Sequence, residues 1–192
     1  HGLRMTLSAV IGLAPEHKLR VISEDVGGGF GSKAFNYSEE VICAWAAKTV
    51  GRPVKRMADR SEAFLTDAHG RDQIANAEMY LDEHKKIIGL KVSITANMGA
   101  YLSTFGSLIP TYMCVPLLSG QYAIPAIYAE VKGVYTNTSP VDAYRGAGRP
   151  EAAFIIERLI DLAARKTDTS PVDLRRKNFV KNFPYQTPVL ST

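Results

Sequence analysis

The sequence predicts an α+β fold with mixed sheets, hairpins and packed helices, because strand and helix patterns occupy separate stretches of the chain. Residues 72–81 and 87–96 both alternate apolar and polar side chains, and the short polar connection between them indicates a β-hairpin. Residues 151–166 place apolar side chains on one helical face, which predicts an amphipathic helix. The regular strand–helix alternation typical of βαβ proteins is missing from the pattern.

The other elements follow in chain order from apolar spacing and from the glycine, serine and proline residues that bound helices. An apolar stretch ending near Gly12 predicts the first helix, and Gly51 before a proline ends the second. Ser61 is the expected N-cap of a short helical turn, and Ser170 followed by proline begins the last helix. These predictions comprise helices over residues 5–13, 38–50, 61–65, 110–119 and 171–178, and strands over residues 18–23, 54–58 and 129–135.

The composition is that of an ordinary globular protein and argues against several other classes. Hydrophobic residues make up 46% and charged residues 22% of the chain, and no apolar run reaches the roughly 18 residues of a membrane span. The net charge is only +4 and the 23 basic residues are scattered, so nucleic-acid binding is not expected. Cys43 and Cys114 lie far apart without a CxxC pattern, which favours two buried, reduced thiols in a cytoplasmic protein.

The two ends of the sequence indicate a longer polypeptide. It begins at His1 without an initiator methionine and ends in a loop-like stretch from Pro184 to Pro188. We therefore expect residues 1–192 to be part of one domain, truncated at both ends. The uncharged stretch over residues 92–129 is expected to be buried or to face a partner, and to be partly exposed here, which would invite self-association.

Residues 26–33, which we call the glycine loop, read VGGGFGSK. Four glycines in five positions indicate positive φ or a close approach to the backbone, since glycine is costly inside helices and strands. A Walker A loop is excluded because Ala34 follows Lys33, and a Rossmann fingerprint because Ser32 stands where the third glycine belongs. Between a predicted strand and a helix, such a loop suits an anionic ligand, although taken alone it is a structural turn about as often.

Residues 142–151, which we call the arginine loop, read DAYRGAGRPE and precede the predicted amphipathic helix. Arg145 and Arg149 can bind phosphate or another oxyanion through two parallel hydrogen bonds. Taken separately, they are equally typical of surface arginines, with Glu151 a first-turn carboxylate that suits the helix dipole. Two glycine-containing loops at helix starts together favour a ligand site.

Three segments resemble the molybdenum hydroxylase family, which includes xanthine dehydrogenases, aldehyde oxidases and aerobic carbon monoxide dehydrogenases. They read VISEDVGGGFGSK, GRPVKRMADRSEAF and NTSPVDAYRGAGRPEAAFIIERLIDLAAR, and the resemblance extends over nearly all of the chain. It implies a molybdopterin-binding domain of the aldehyde oxidase/xanthine dehydrogenase type within a large catalytic subunit. The implied activity is oxidation of an aldehyde or N-heterocycle with water as the oxygen donor.

The resemblance also implies roles for residues of both loops. Arg145 would be catalytic, offering a fixed positive charge to developing oxyanions. Arg175 or Arg176 matches the same pocket more weakly, and no residue of this chain is expected to ligate the metal. The implied cofactor-binding residues are Gly28, Gly29, Phe30, Gly31, Gly146 and Ala147.

The cofactor implied for the full enzyme is molybdopterin, in the cytosine dinucleotide form usual in bacterial members. Electrons would leave through two-iron two-sulfur clusters on a small iron–sulfur subunit to FAD on a medium subunit. The segment alone is expected to hold no cofactor and to be inactive, since more than one domain wraps the cofactor in the family. A small-molecule substrate and a cytoplasmic location are also expected. Nucleic acids and membranes are not expected as partners.

Three features depart from particular family members. Gly146 stands where copper-containing carbon monoxide dehydrogenases have a cysteine, the soft ligand that Cu(I) needs, so CO oxidation is disfavoured. Ala34 stands where xanthine-oxidising members have a glutamate, which disfavours purine recognition through that carboxylate. The general base of the family is expected downstream of Thr192. A non-catalytic phosphate-binding or subunit-docking module remains the alternative.

Overall fold

The computed structural model describes residues 1–189, and its central feature is a three-stranded mixed sheet in the order β1-β2-β3. The strands are β1 (Gln73–Leu81), β2 (Ile87–Gly99) and β3 (Ile127–Tyr135). β1 and β2 form the predicted antiparallel hairpin, and β3 lies parallel to β2. A parallel neighbour needs a long crossover, which residues 100–126 provide. The predicted α+β fold is confirmed.

The core lies between one face of the sheet and α4 (Arg149–Lys166). Alternate side chains of β2, including Val92 and Ile94, point into it, as the period of two predicts. The helix buries Ala152, Ile155, Ile156, Ile160 and Ala164. Each large apolar side chain buried in this way contributes about 1.5–3 kcal/mol. This packing fixes the first turn of α4, and therefore the end of the arginine loop.

Three helices precede the sheet: α1 (Gly2–Met5), α2 (Ser38–Val50) and α3 (Arg60–Thr66). The first continues as a π-helical turn, Thr6–Val10, and stops as predicted near Gly12, whose φ is +67°. The second has the predicted bounds and the left-handed C-cap Gly51. Contrary to its apolar spacing, α2 buries none of its residues fully, and Ile42 is 58% exposed.

The strands predicted over residues 18–23 and 54–58 are wrong. A 3₁₀ turn, Glu16–Lys18, leads into irregular backbone, and residues 54–58 are irregular as well. Both stretches are almost entirely exposed, and within residues 1–189 neither is paired with another strand. Apolar and β-branched residues are therefore not sufficient to form a strand in these two stretches, because a strand is stabilised by the neighbour it pairs with.

Two helix predictions also need correction. The N-cap of α3 is Asp59, two residues before the predicted Ser61. The Glu62 amide donates to the Asp59 carboxylate at 2.8 Å, and the Asp59 amide donates to the Glu62 carboxylate at 3.0 Å, which forms a capping box. Residues 110–119 form consecutive turns with a 3₁₀ segment at Val115–Leu117 where a helix was predicted. The last helix, α5 (Pro171–Asn178), has the predicted bounds.

The uncharged stretch over residues 92–129 is partly buried and partly exposed, as expected. Its β2 residues and Tyr122 lie in the core, whereas Tyr101 and Tyr112 are exposed. Of the two free thiols, Cys114 is buried as predicted, but Cys43 is only half-buried because α2 lies against no core.

Candidate functional site

The arginine loop leads into α4 and begins at a buried carboxylate. Asp142 is 1% exposed, and its Oδ2 accepts a hydrogen bond from the Phe105 amide at 3.0 Å. Three successive residues then have positive φ: Gly146 (+99°), Ala147 (+39°) and Gly148 (+85°). At Gly148 any Cβ would lie 2.6 Å from main-chain atoms of the crossover, so only glycine fits there.

The glycine loop is irregular over residues 26–29 and forms a turn over residues 30–33, and a hydrogen bond between its two ends closes it. Gly27, Gly28, Phe30 and Gly31 all have positive φ, and the Lys33 ammonium donates to the Val26 carbonyl at 3.1 Å. The Tyr37 hydroxyl donates to the Ser32 carbonyl at 2.9 Å, which ties the loop to α2. Burial, followed by the nearby charge of Asp67, raises the pKa of Tyr37 to about 12, so this phenol stays a hydrogen-bond donor.

The structure brings the two loops together, although more than a hundred residues separate them. The Arg145 amide donates to the Phe30 carbonyl at 2.9 Å. Gly31 packs directly on the arginine loop, where a Cβ would lie 2.4 Å from the Ala143 carbonyl oxygen. The Arg145 guanidinium lies 5.4 Å from the centre of the Phe30 ring, a cation–π contact.

The joined loops present an exposed face that combines a fixed cation, an aromatic ring and left-handed backbone. Phe30 is 55% exposed, and Arg145 and Gly146 are exposed beside it. Gly28 lies under the Phe30 ring, where a Cβ would come within 2.9 Å of the ring, while Gly29 and Ala147 are half-buried behind this face. This surface can hold an anionic, partly aromatic ligand through one guanidinium and one ring.

The other arginines singled out in the sequence have different surroundings. Arg149 donates from Nη1 to the Gly146 carbonyl at 3.4 Å and so stays beside the loop. Arg175 donates to the Glu157 and Asp161 carboxylates, at 2.8 and 2.9 Å, and joins α5 to α4. Arg176 is 73% exposed and lies near Asp173 of its own helix. The weaker match of Arg175 or Arg176 to the pocket is therefore not supported.

Sequence reasoning missed Arg71, which precedes β1. Its guanidinium donates to the Arg145 carbonyl, and its Nε lies 3.3 Å from the Glu151 carboxylate. It also stacks 4.6 Å from the centre of the Tyr144 ring. Gly70 was the available signal: a Cβ there would lie 2.2 Å from the Tyr144 Cβ, so the backbone must approach this loop closely.

Between residues 1 and 189, no group of three or more His, Cys, Asp or Glu side chains is placed to hold a metal ion. No helix in that range is long and apolar enough to cross a membrane.

Comparisons with known proteins identify the family of the domain that contains the mixed sheet and the two joined loops. Residues 1–179 match the molybdopterin cofactor-binding domain. The chain therefore belongs to this family, and the resemblance seen in the sequence is confirmed.

Two curated relatives and one solved structure show how similar the chain is to known members. The carbon monoxide dehydrogenase large chain of Hydrogenophaga pseudoflava is 38% identical, covering 97% of this chain and 24% of the relative. The 6-hydroxypseudooxynicotine dehydrogenase complex subunit gamma of Paenarthrobacter nicotinovorans is 36% identical, covering 94% and 22%. Quinoline 2-oxidoreductase from Pseudomonas putida 86 has a TM-score of 0.91 at 33% identity, covering 97% and 24%. The chain spans about a quarter of the length of these proteins.

Proposed function

We propose that this chain forms one wall of the molybdenum-cofactor pocket in the large catalytic subunit of a cytoplasmic molybdenum-dependent hydroxylase or dehydrogenase. The observation that carries the proposal is the hydrogen bond from the Arg145 amide to the Phe30 carbonyl, which holds the two loops as one surface. Family membership supports the cofactor, and the exposed guanidinium and ring support a role at its reactive side. When bound, the cofactor supplies two-electron oxidation with water as the oxygen source.

The residues of the joined loops fit such a cofactor. Gly28, Gly29 and Gly31 would allow the main chain to approach it, and Phe30 would cover it and exclude water. Arg145 is the catalytic residue, because a fixed guanidinium stabilises negative charge that develops on the substrate in the transition state. Gly146 and Ala147 continue the cofactor-binding backbone beyond it. We keep the cytosine dinucleotide form as part of the proposal, since its phosphates suit amides of a glycine-rich loop.

For the substrate, we propose an aldehyde or, with more support, an N-heterocycle. One relative is named for quinoline, an N-heterocycle, and two others are named for 6-hydroxypseudooxynicotine and nicotine. CO oxidation at a copper–molybdenum site is disfavoured because Gly146 offers no thiolate for Cu(I). An iron–sulfur subunit and an FAD subunit would accept the electrons, in keeping with relatives named as a large chain and as a subunit of a complex.

The test uses the full-length enzyme purified with its partner subunits. Arg145→Ala should retain molybdenum, measured by elemental analysis, while kcat falls about 100-fold or more, as on removing one oxyanion-stabilising donor. Arg176→Ala is the matched control, because that side chain is exposed and lies on α5. Unchanged kcat in Arg145→Ala would remove Arg145 from the site, and a metal-free wild-type enzyme would refute the proposed function. A substrate screen with a dye as electron acceptor then separates aldehydes from N-heterocycles.

A further inference from the structure

The segment that precedes β1 lies alongside the arginine loop. The His69 amide donates to the Pro140 carbonyl at 2.9 Å, and the Asp142 amide donates to the His69 carbonyl at 2.8 Å, which forms a short parallel bridge. Beyond it, Gly70 has no side chain to keep it away from Tyr144, so the two main chains stay close. This pairing delivers the next residue, Arg71, to the arginine loop.

Arg71 makes three contacts with the arginine loop and the start of α4. It donates from Nη2 to the Arg145 carbonyl, forms an ion pair with Glu151, and stacks on the Tyr144 ring. Its side chain is 29% exposed, so these contacts are partly shielded from water. A guanidinium suits this position because its planar fork serves several acceptors at once, which an ammonium cannot do with the same geometry.

Glu151 is the residue that orients Arg71. Its side chain is only 8% exposed, and in the described part of the chain its Oε2 is buried without a hydrogen-bond partner. A buried carboxylate is costly unless a cation compensates it, and Arg71 is that cation at 3.3 Å. The pair therefore constrains both partners, with Glu151 itself fixed in the first turn of the well-packed α4.

The main chain of Arg145 is consequently held from both sides. Its amide donates to the Phe30 carbonyl, and its carbonyl accepts from Arg71. The three residues that follow all have positive φ, and one of them, Ala147, is not a glycine. For a residue other than glycine such a conformation is strained, and it persists only where surrounding contacts determine it. The hydrogen bond from Arg71 is accepted by the Arg145 carbonyl, in the peptide that leads into these three residues.

We propose that Arg71, oriented by Glu151, is the positioning residue that holds Arg145 in its productive conformation. The proposal rests on the catalytic role proposed above for Arg145. Arg71 does not present its own guanidinium to the substrate, because that group is directed at the Arg145 carbonyl and Glu151. Without Arg71, the peptide after Arg145 is free to rotate, and the Arg145 guanidinium loses its fixed place beside Phe30.

The test compares Arg71→Met, Arg145→Ala and the double variant in the full-length enzyme with its partner subunits. Arg71→Met should lower kcat about 10- to 100-fold, the cost of disturbing a group that orients a functional residue. In the Arg145→Ala background the same change should lower kcat less than about threefold, because Arg71 acts through Arg145. Arg176→Met is the control and should leave kcat unchanged.

Hydrogen exchange supplies a readout that is independent of turnover. In Arg71→Met, the peptide over residues 142–149 should exchange about tenfold faster in both cofactor-loaded and cofactor-free enzyme, while α4 beyond Glu157 keeps its protection. If Arg71→Met fails to assemble, Glu151→Gln takes its place, since it keeps the side-chain volume and removes the charge that orients Arg71. It should produce the same acceleration with a smaller fall in kcat.

The outcomes separate the two proposals. If Arg145→Ala lowers kcat but Arg71→Met changes neither kcat nor exchange, the positioning role is overturned and the function stands. The positioning role would also be overturned if Arg71→Met lowered kcat by the same factor in the wild-type and the Arg145→Ala backgrounds, because Arg71 would then act without Arg145. If Arg145→Ala leaves kcat unchanged, the catalytic role of Arg145 fails, and the positioning role fails with it.

Discussion

Residues 73–178 and residues 1–66 differ in how much apolar surface they bury. The first region contains the sheet, α4 and α5, and its core includes fully buried residues such as Val92 and Ile160. The second contains three helices and the glycine loop, and its exposed side chains include Phe64 and Trp45. Its buried apolar residues are Leu7, Leu13 and Phe35. The N-terminal region is therefore shaped by a few specific contacts more than by a core of its own.

The candidate site lies where these two regions meet. The region with the core supplies the arginine loop, whose start is held by the buried Asp142 carboxylate and whose end lies in the first turn of α4. The less packed region supplies the glycine loop, which meets it through the Phe30 carbonyl and the close packing of Gly31 on Ala143. The comparison teaches that the site depends on the fit of two backbones, so small changes at the contact should matter more than large changes elsewhere in residues 1–66.

The largest expected effect is from Gly31→Ala in the full-length enzyme. Its Cβ would lie 2.4 Å from the Ala143 carbonyl oxygen at a φ of +98°, so the two loops must separate. We expect molybdenum content to fall below half of wild type and kcat by about 100-fold or more. Gly27→Ala is the matched control: its φ is also positive, but its Cβ would meet nothing within 4 Å. Equal effects of the two variants would refute the importance of the contact.

The second-largest effect is expected from a comparison of a buried and an exposed residue of α4. Ile160→Ala removes a fully buried side chain of α4 and should lower the free energy of unfolding by about 2–4 kcal/mol, through lost burial and the cavity left behind. Leu162→Ala, two residues away and 38% exposed, should cost about 0.5 kcal/mol. Chemical denaturation of this chain measures both. Similar losses would show that α4 is not anchored by its sheet-facing side.

The same comparison explains which elements the sequence predicts well. β1, β2 and α4 were predicted to within three residues at each end because the faces that pack on the core impose periods of 2 and 3.6 on the apolar side chains. Residues 18–23 and 54–58 carry strand-forming residues but pair with no strand in the described range, so their local preference is not realised. The secondary-structure preference of the sequence predicted the elements that pack on the core, and it failed for the two stretches that do not.

The candidate site was predictable only in part, for a related reason. The glycines and Arg145 stand out as sequence patterns, and the structure joins their loops. Arg71 lies 74 residues before Arg145 and belongs to no periodic pattern, so its role follows only from the bridge between His69 and Val141. Glu151 was explained by the helix dipole, but the structure shows a buried partner of Arg71.

Chemical labelling of the two cysteines compares the burial of the two regions. Cys114 lies in the core and Cys43 on the half-buried α2, and burial, then the charge of Glu151, raises the pKa of the Cys114 thiol to about 11. Since the thiolate is the reactive form, a maleimide near pH 8 should label Cys43 at least about tenfold faster. Labelling of separate Cys43→Ser and Cys114→Ser variants measures the two rates. Equal rates would mean that the core opens as readily as α2.

The raised Cys114 pKa also predicts how stability depends on pH. The folded protein keeps this proton up to about pH 11, whereas the unfolded chain loses it near the ordinary value of 9.0. The resulting contribution is fully present below about pH 9 and is lost as the pH rises towards 11, by about 3 kcal/mol. Cys114→Ala should therefore show a shallower alkaline decline in the free energy of unfolding. An unchanged slope would assign the decline to other groups, such as Tyr122, whose pKa burial raises to about 12.

The smallest effect on stability is expected from Ile42→Gln on the exposed face of α2. Ile42 is 58% exposed and contributes little to folding, so the free energy of unfolding of this chain should change by less than about 0.5 kcal/mol. Self-association should nevertheless weaken, because exposed apolar patches on α2 and on the uncharged stretch favour contact between copies. Sedimentation velocity measures this, with Thr49→Gln on the same helix as the control and the single tryptophan, Trp45, as an optical reporter. A large loss of stability instead would mean that α2 packs against a core after all, and the contrast between the two regions would disappear.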